Sequence, residues 1–98
     1  MKIVFALAIA LTANVATADI ETDKDAGACA GYLAATGRGG GVEAAIAMSD
    51  NSKRAIQFAK NYMRELGDTS PNSRQSIANQ GAVACGRVGI KPRDYGSK

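Results

Sequence analysis

The chain of 98 residues contains no histidine. That removes both the commonest general base and the commonest metal ligand. Serine–lysine chemistry offers no substitute, because Ser52 and Lys53 are adjacent and adjacent residues on a helix do not face each other. The carboxylates Glu43, Asp50, Glu65 and Asp68 fall mostly at expected helix caps and loops, where they favour helix N-termini or solvent. A structural zinc site needs about four ligands, and only carboxylates and two thiols are on offer. The expectation is a protein that is not an enzyme and holds no metal or cofactor.

Tryptophan is also absent, and aromatic residues make up only 5% of the chain. With few large side chains, the core must be built largely from alanine. A small domain of that kind is marginal without a covalent or metal staple. Long apolar runs are missing too, apart from one near the N-terminus that is too short and too alanine-rich for a transmembrane helix.

That run reads as a secretion signal. Lys2 supplies a cationic start, the apolar stretch continues through Leu11, and Ala16-Thr17-Ala18 forms a small-x-small cleavage site ahead of Asp19. Residues 1–18 are therefore assigned as a signal peptide cleaved after Ala18, and 19–98 as a single small domain. The expected location is periplasmic or extracellular, with no transmembrane segment in the mature chain.

Cysteine is scarce in the same informative way: there are only Cys29 and Cys85, 56 residues apart. Exported chains live in oxidising compartments, so the pair reads as one structural disulfide. Closing a loop of that length removes unfolded-state entropy worth about 4 kcal/mol in the chain-entropy picture. A redox-active pair would more naturally be Cys-x-x-Cys. An acylated lipoprotein cysteine would follow the apolar run directly, whereas Asp19, Glu21, Asp23, Lys24 and Asp25 intervene before Cys29.

Charge is uneven although the net value is only +3. Residues 19–25 carry four acids against Lys24, whereas nine bases and three acids lie from Lys53 onward. The asymmetry suits an acidic protein or an anionic envelope component as partner. Export, the lack of a recognisable module and the modest net charge speak against nucleic acid.

Along the chain, Thr22 with Asp25 has the spacing of a capping box, and Ala26, Cys29 and Leu33 recur at helical intervals. A first helix is expected over about 23–36. Gly37-Arg38-Gly39-Gly40-Gly41 ends it. This loop reads as a hinge; it lacks the Gly-Lys-Ser/Thr of a phosphate-binding loop and the preceding strand of a dinucleotide fingerprint.

Residues 42–66 carry a long helical pattern with Ala45, Met48, Ala55, Ile56, Ala59, Tyr62, Met63 and Leu66 as an apolar stripe and Phe58 at its edge. Ser49-Asp50-Asn51-Ser52 is rich in capping residues and would allow two helices instead of one. Lys53, Lys60 and Arg64 form a basic flank. Ser70-Pro71 starts the last helix, whose Ile77, Gly81, Ala84, Cys85 and Val88 share a side. Gly89, Ile90 and Pro92 have the order of a helix stop. From about residue 91 a frayed tail is expected.

The segment Cys29-Ala30-Gly31-Tyr32-Leu33-Ala34 resembles the Cys-x-x-aromatic-Leu-Ala start of HdeA-like periplasmic acid-stress chaperones, which also carry a second cysteine in a late helix. It is similar as well to the Cys-x-Gly-Tyr element of periplasmic immunity proteins that inhibit secreted cell-wall amidases. Each likeness covers about six residues and a cysteine position, and the glycine loop and basic second half fit neither pattern. The chain is assigned to neither family.

The expected fold is an all-α bundle of three or four short helices stapled by one disulfide, with the long middle helix between the first and the last. The expected role is protein or envelope binding of the inhibitor, immunity or accessory type. Arg38, Lys53, Lys60 and Arg64 are the candidate contacts, with Tyr95 in the tail as a further one. A stress holdase that exposes its apolar stripe and a cationic membrane-active protein are the alternatives. The staple itself is testable. Cys29→Ser is expected to lower unfolding stability by about 2–5 kcal/mol, and its thermal midpoint should no longer respond to reductant, whereas that of the wild type should fall.

Overall fold

The structure, a computed structural model, describes residues 20–96. The leader assigned to 1–18 and the cleavage after Ala18 lie outside these residues. Among the described residues the chain is all-helical, with four α-helices and no strand. They are α1 (20–35), α2 (Val42–Ala47), α3 (Ser52–Asp68) and α4 (Pro71–Arg87), with 3₁₀ turns at Gly39–Gly41 and Pro92–Asp94.

The helix ends follow from the local sequence. Asn51 adopts an extended backbone and its side chain accepts from the Arg54 N–H at 3.1 Å, so the pattern over 42–66 divides into α2 and α3. Ser70 caps α4 by accepting from the Ser73 N–H at 3.4 Å, with Pro71 in the first turn. Gly89 closes α4 with φ +80°. The Ile90 N–H then donates to the Cys85 carbonyl at 2.9 Å and the Gly89 N–H to that of Gly86 at 3.2 Å, a Schellman stop that buries Ile90. The glycine loop ends α1 in the same way, through Gly37 and an Arg38 N–H donating to Leu33.

The first helix, not the long middle one, is the centre of the molecule. Asp23, Ala26, Gly27, Cys29, Ala30, Gly31 and Leu33 of α1 are all buried, whereas α3 buries only Ala55 and Tyr62. This corrects the expected order, and the reason is side-chain size. On α1, Gly27 faces the Ala55 carbonyl and Phe58, and Gly31 faces Ala59 and Tyr62, so the two backbones meet almost without intervening side chains. A Cβ on Gly27 would lie 2.5 Å from the Ala55 oxygen and from the Phe58 Cβ. Matching Asp23 with Asp50–Arg54, Gly27 with Ala55–Ala59 and Gly31 with Ala59–Tyr62 sets α1 and α3 parallel.

On its other side α1 runs antiparallel to α4. Asp25 meets Arg87 at 3.3 Å, and Cys29 is bonded to Cys85 with their Cα atoms 4.6 Å apart. Both cysteines are fully buried in a cluster with Ala26, Ala30, Leu33, Ala45, Ala55, Val88 and Ile90. The sequence-based disulfide is present; of the side expected to face inward, Gly81, Ala84 and Cys85 of α4 and the capping Val88 are buried, and Ile77 is half-buried.

Three local expectations differ from the structure. Helix α1 begins by residue 20, so Thr22 and Asp25 lie within it and form no capping box. The apolar stripe over 42–66 divides: Ala45, Ala55 and Tyr62 are buried, whereas Met48, Ile56 and Met63 stay exposed. The α1 glycines meet α3 over a narrow seam of Ala55, Ala59, Phe58 and Tyr62, and Ile56 and Met63 lie beside it on α3, whereas Met48 stands in the turn that ends α2. Finally, the stretch from 91 does not fray through residue 96. Pro92–Asp94 forms a 3₁₀ turn and Tyr95 folds back over Gly41 and Leu33.

The close approach of α1 and α3 predicts an asymmetry among glycines. Gly31→Ala is expected to destabilise by about 1–3 kcal/mol through overpacking, because its Cβ would lie 2.7 Å from the Tyr62 ring. Gly39→Ala, whose Cβ meets nothing within 4 Å, should shift a urea midpoint very little.

Candidate functional site

Two parts of the molecule carry chemistry: a buried ionic latch and the outward face of α3. The latch joins α1 to the start of α3. Asp23 has no exposed surface. Its Oδ1 accepts from the backbone N–H of Asp50 at 2.8 Å and of Asn51 at 3.1 Å, and its Oδ2 accepts from Arg54 Nε at 2.7 Å. The amides entering a helix need acceptors, and here a carboxylate 27 residues away supplies one. Burial by itself would push the Asp23 pKa up, but the Asn51 amide, the Arg54 guanidinium and the Asp50 amide together hold it below the usual carboxylate value.

Tyr62 is the second internal polar link. Its hydroxyl donates to the Ile77 carbonyl of α4 at 2.7 Å while its ring covers Gly31 and reaches Gly81. Burial pushes its phenol above the ordinary value, with Tyr32 and Glu65 acting in the same direction and the Gly81 amide opposing. The hydroxyl therefore stays protonated, as a donor must.

The candidate contact residues fall into two groups. Lys53, Lys60 and Arg64 are all exposed on α3, at i, i+7 and i+11, and make no ion pair among the described residues. They border Ile56 and Met63, which are 42% and 44% exposed and share a face one heptad apart. Arg38 stands on the α1–α2 connection, not on this face; it is half-buried, and its Nε is buried without a hydrogen-bond partner. Tyr95 is committed to packing over Gly41.

The sequence reading missed Asp23 and Arg54, whose pairing across 31 residues has no local signal. It also missed two open grooves beside the Lys24–Ala28 edge of α1, one toward α3 of about 610 Å³ and one toward α4 of about 540 Å³.

Among the described residues, no helix is long and apolar enough to cross a membrane, and no three Cys, Asp or Glu side chains group as metal ligands. Compared with known protein families, curated proteins and solved structures, the chain matches none.

The latch predicts a pH dependence of definite sign. Asp23 has a lower pKa folded than unfolded, where about 3.9 is usual. Its stabilisation is therefore complete above that value and is lost as pH falls through the folded pKa. Asp23→Asn should destabilise by about 1–3 kcal/mol near neutral pH, since it weakens acceptance from buried donors. It should also flatten the acid limb of stability against pH below about 4, measured by urea unfolding at a series of pH values.

Proposed function

We propose that this protein is an exported, non-enzymatic binding module of the inhibitor, immunity or accessory type, and that it docks on an envelope protein through the outward face of α3. The observation that carries this is the exposed pair Ile56 and Met63 bordered by Lys53, Lys60 and Arg64. In a chain so short of large apolar residues, leaving two on one helix face marks that face for another use. Three cations beside them suit an apolar hollow with an acidic edge, where complementary charge sets orientation and association rate. Export is supported by the run ending at Ala16-Thr17-Ala18 and by a disulfide of the kind oxidising compartments maintain.

A lipid surface is less well served. Interfacial helices use a broad apolar face with Trp, Phe and Leu, whereas this strip offers one isoleucine and one methionine.

Crosslinked affinity purification from the native envelope fraction tests the reading. One dominant protein partner is expected, lost when Lys53, Lys60 and Arg64 are all replaced by Glu. The thermal midpoint should change little, as all three side chains are exposed. A dominant partner retained by the triple variant would move the contact off this face. A broad set of clients that grows under acid or heat would instead favour the holdase.

A further inference from the structure

We infer that what docks on the outward face of α3 is an amphipathic helix of the partner, with acidic residues along one flank of its apolar seam. The inference rests on the docking role proposed above and names the shape and charge of the occupant. Ile56, Ala59, Met63 and Leu66 follow one another at intervals of three, four and three residues. That is the a/d spacing of helices that pack side by side. Ile56 and Met63 are exposed and Ala59 and Leu66 half-buried, so the seam is open along most of α3. Its inner flank is closed, because Ala55 and Tyr62 are buried against the glycines of α1. From Ile56 to Leu66 the helix rises about 15 Å, at 1.5 Å per residue, which gives a partner helix about three turns of contact.

The charge keeps the same spacing. With Ile56 and Met63 at a, Lys53 and Lys60 both fall at e, on the open flank of the seam. Both are exposed, and neither pairs with an acid among the described residues. Arg64 lies further round the same side. Arg74 of α4 stands at the Leu66 end, donating to the Leu66 and Thr69 carbonyls at 3.3 Å. Of the nearby acids, Glu43 and Asp50 come before the helix. Glu65 and Asp68 are turned about 180° and 120° from Ile56, at 100° per residue. A helix laid on this seam sets its own flanking positions opposite Lys53 and Lys60, where carboxylates are favoured. A second copy of α3 does not fit. Antiparallel, the two lysine flanks would face each other; parallel, the lysines would face the positions of Ala55 and Tyr62, which are buried under α1.

The test is photocrosslinking of the disulfide-bonded protein in its native envelope fraction, with Ile56→photo-leucine and Met63→photo-leucine as separate probes and mass spectrometry of the joined peptides. The two positions are about 10 Å apart along α3, seven residues at 1.5 Å each. A helical occupant therefore takes the two crosslinks about seven residues apart in one segment, with Asp or Glu beside them. An extended strand, advancing about 3.3 Å per residue, takes them about three residues apart. A synthetic peptide of the captured segment should bind the Lys60→Glu variant about threefold to tenfold more weakly, the range for exposed charge pairs. Replacing the facing acid of that peptide by lysine should restore the loss. Crosslinks three residues apart, crosslinks scattered over separate segments, or a captured segment without flanking acids would each overturn the helix and leave the docking face standing. No protein joined at either position would overturn the inference together with the docking role it rests on.

Discussion

A carboxylate with no exposed surface is tolerable only when donors converge on it, and Asp23 collects three. Two of them are the amides of Asp50 and Asn51, the residues just ahead of α3, so one side chain ties α1 to the start of that helix and fixes where α1 lies along it. Glycines one and two turns further along α1 can then meet the backbone of α3, as Gly27 and Gly31 do. Burying an ion pair is not in itself strong support for a fold, and Arg54 remains 40% exposed. Its contribution here is positional: any other register would strand Asp23 away from its donors.

From that register the rest follows. α1 is hemmed in by α3 on one side and by the antiparallel α4 on the other, where the disulfide joins the two helices in the middle of the core. α2 and the returning tail cover the remaining side through Ala45, Ile90 and Tyr95. The core is made mostly of alanine, glycine and cysteine, so helices lie close and little large apolar surface is consumed. Ile56, Met63 and Val83 stay out, at 42%, 44% and 53% exposure. A protein that packs with its smallest residues and presents some of its largest is suited to contact with another molecule, and that inversion is the physical basis of the binding role proposed above.

Local chemistry was legible in the sequence. Ser70-Pro71, the Gly89–Ile90 stop and the capping cluster at Ser49–Ser52 each appear in the structure because a helix end depends on a few adjacent residues. The Cys29–Cys85 bridge was legible because there was only one possible pairing. Non-local placement was not. A wheel drawn over 42–66 weights Met48, Ile56 and Met63 by hydrophobicity, whereas the buried face was chosen by how closely a glycine-bearing partner approaches. Asp23 read as part of an acidic lead, and nothing within ten residues of it announces Arg54. Tyr95 looked like tail because its site, the bare Cα of Gly41, lies 54 positions earlier in the chain. Of the site, the basic flank of α3 was visible as helical spacing, but its grouping with an exposed apolar pair was not.

The central claim is that α1 is the buried axis of the protein, held by the latch at one end and the disulfide at its middle. Native-state amide hydrogen exchange tests it most directly, since amides that open only on global unfolding mark the most protected element. The account predicts that the slowest-exchanging amides lie in α1, between Ala26 and Leu33, together with those of α4 around Cys85, and that the exposed C-terminal turns of α3 exchange through local opening. If the slowest amides lay instead in the middle of α3, with α1 opening locally, the long helix would be the axis and the account would be wrong.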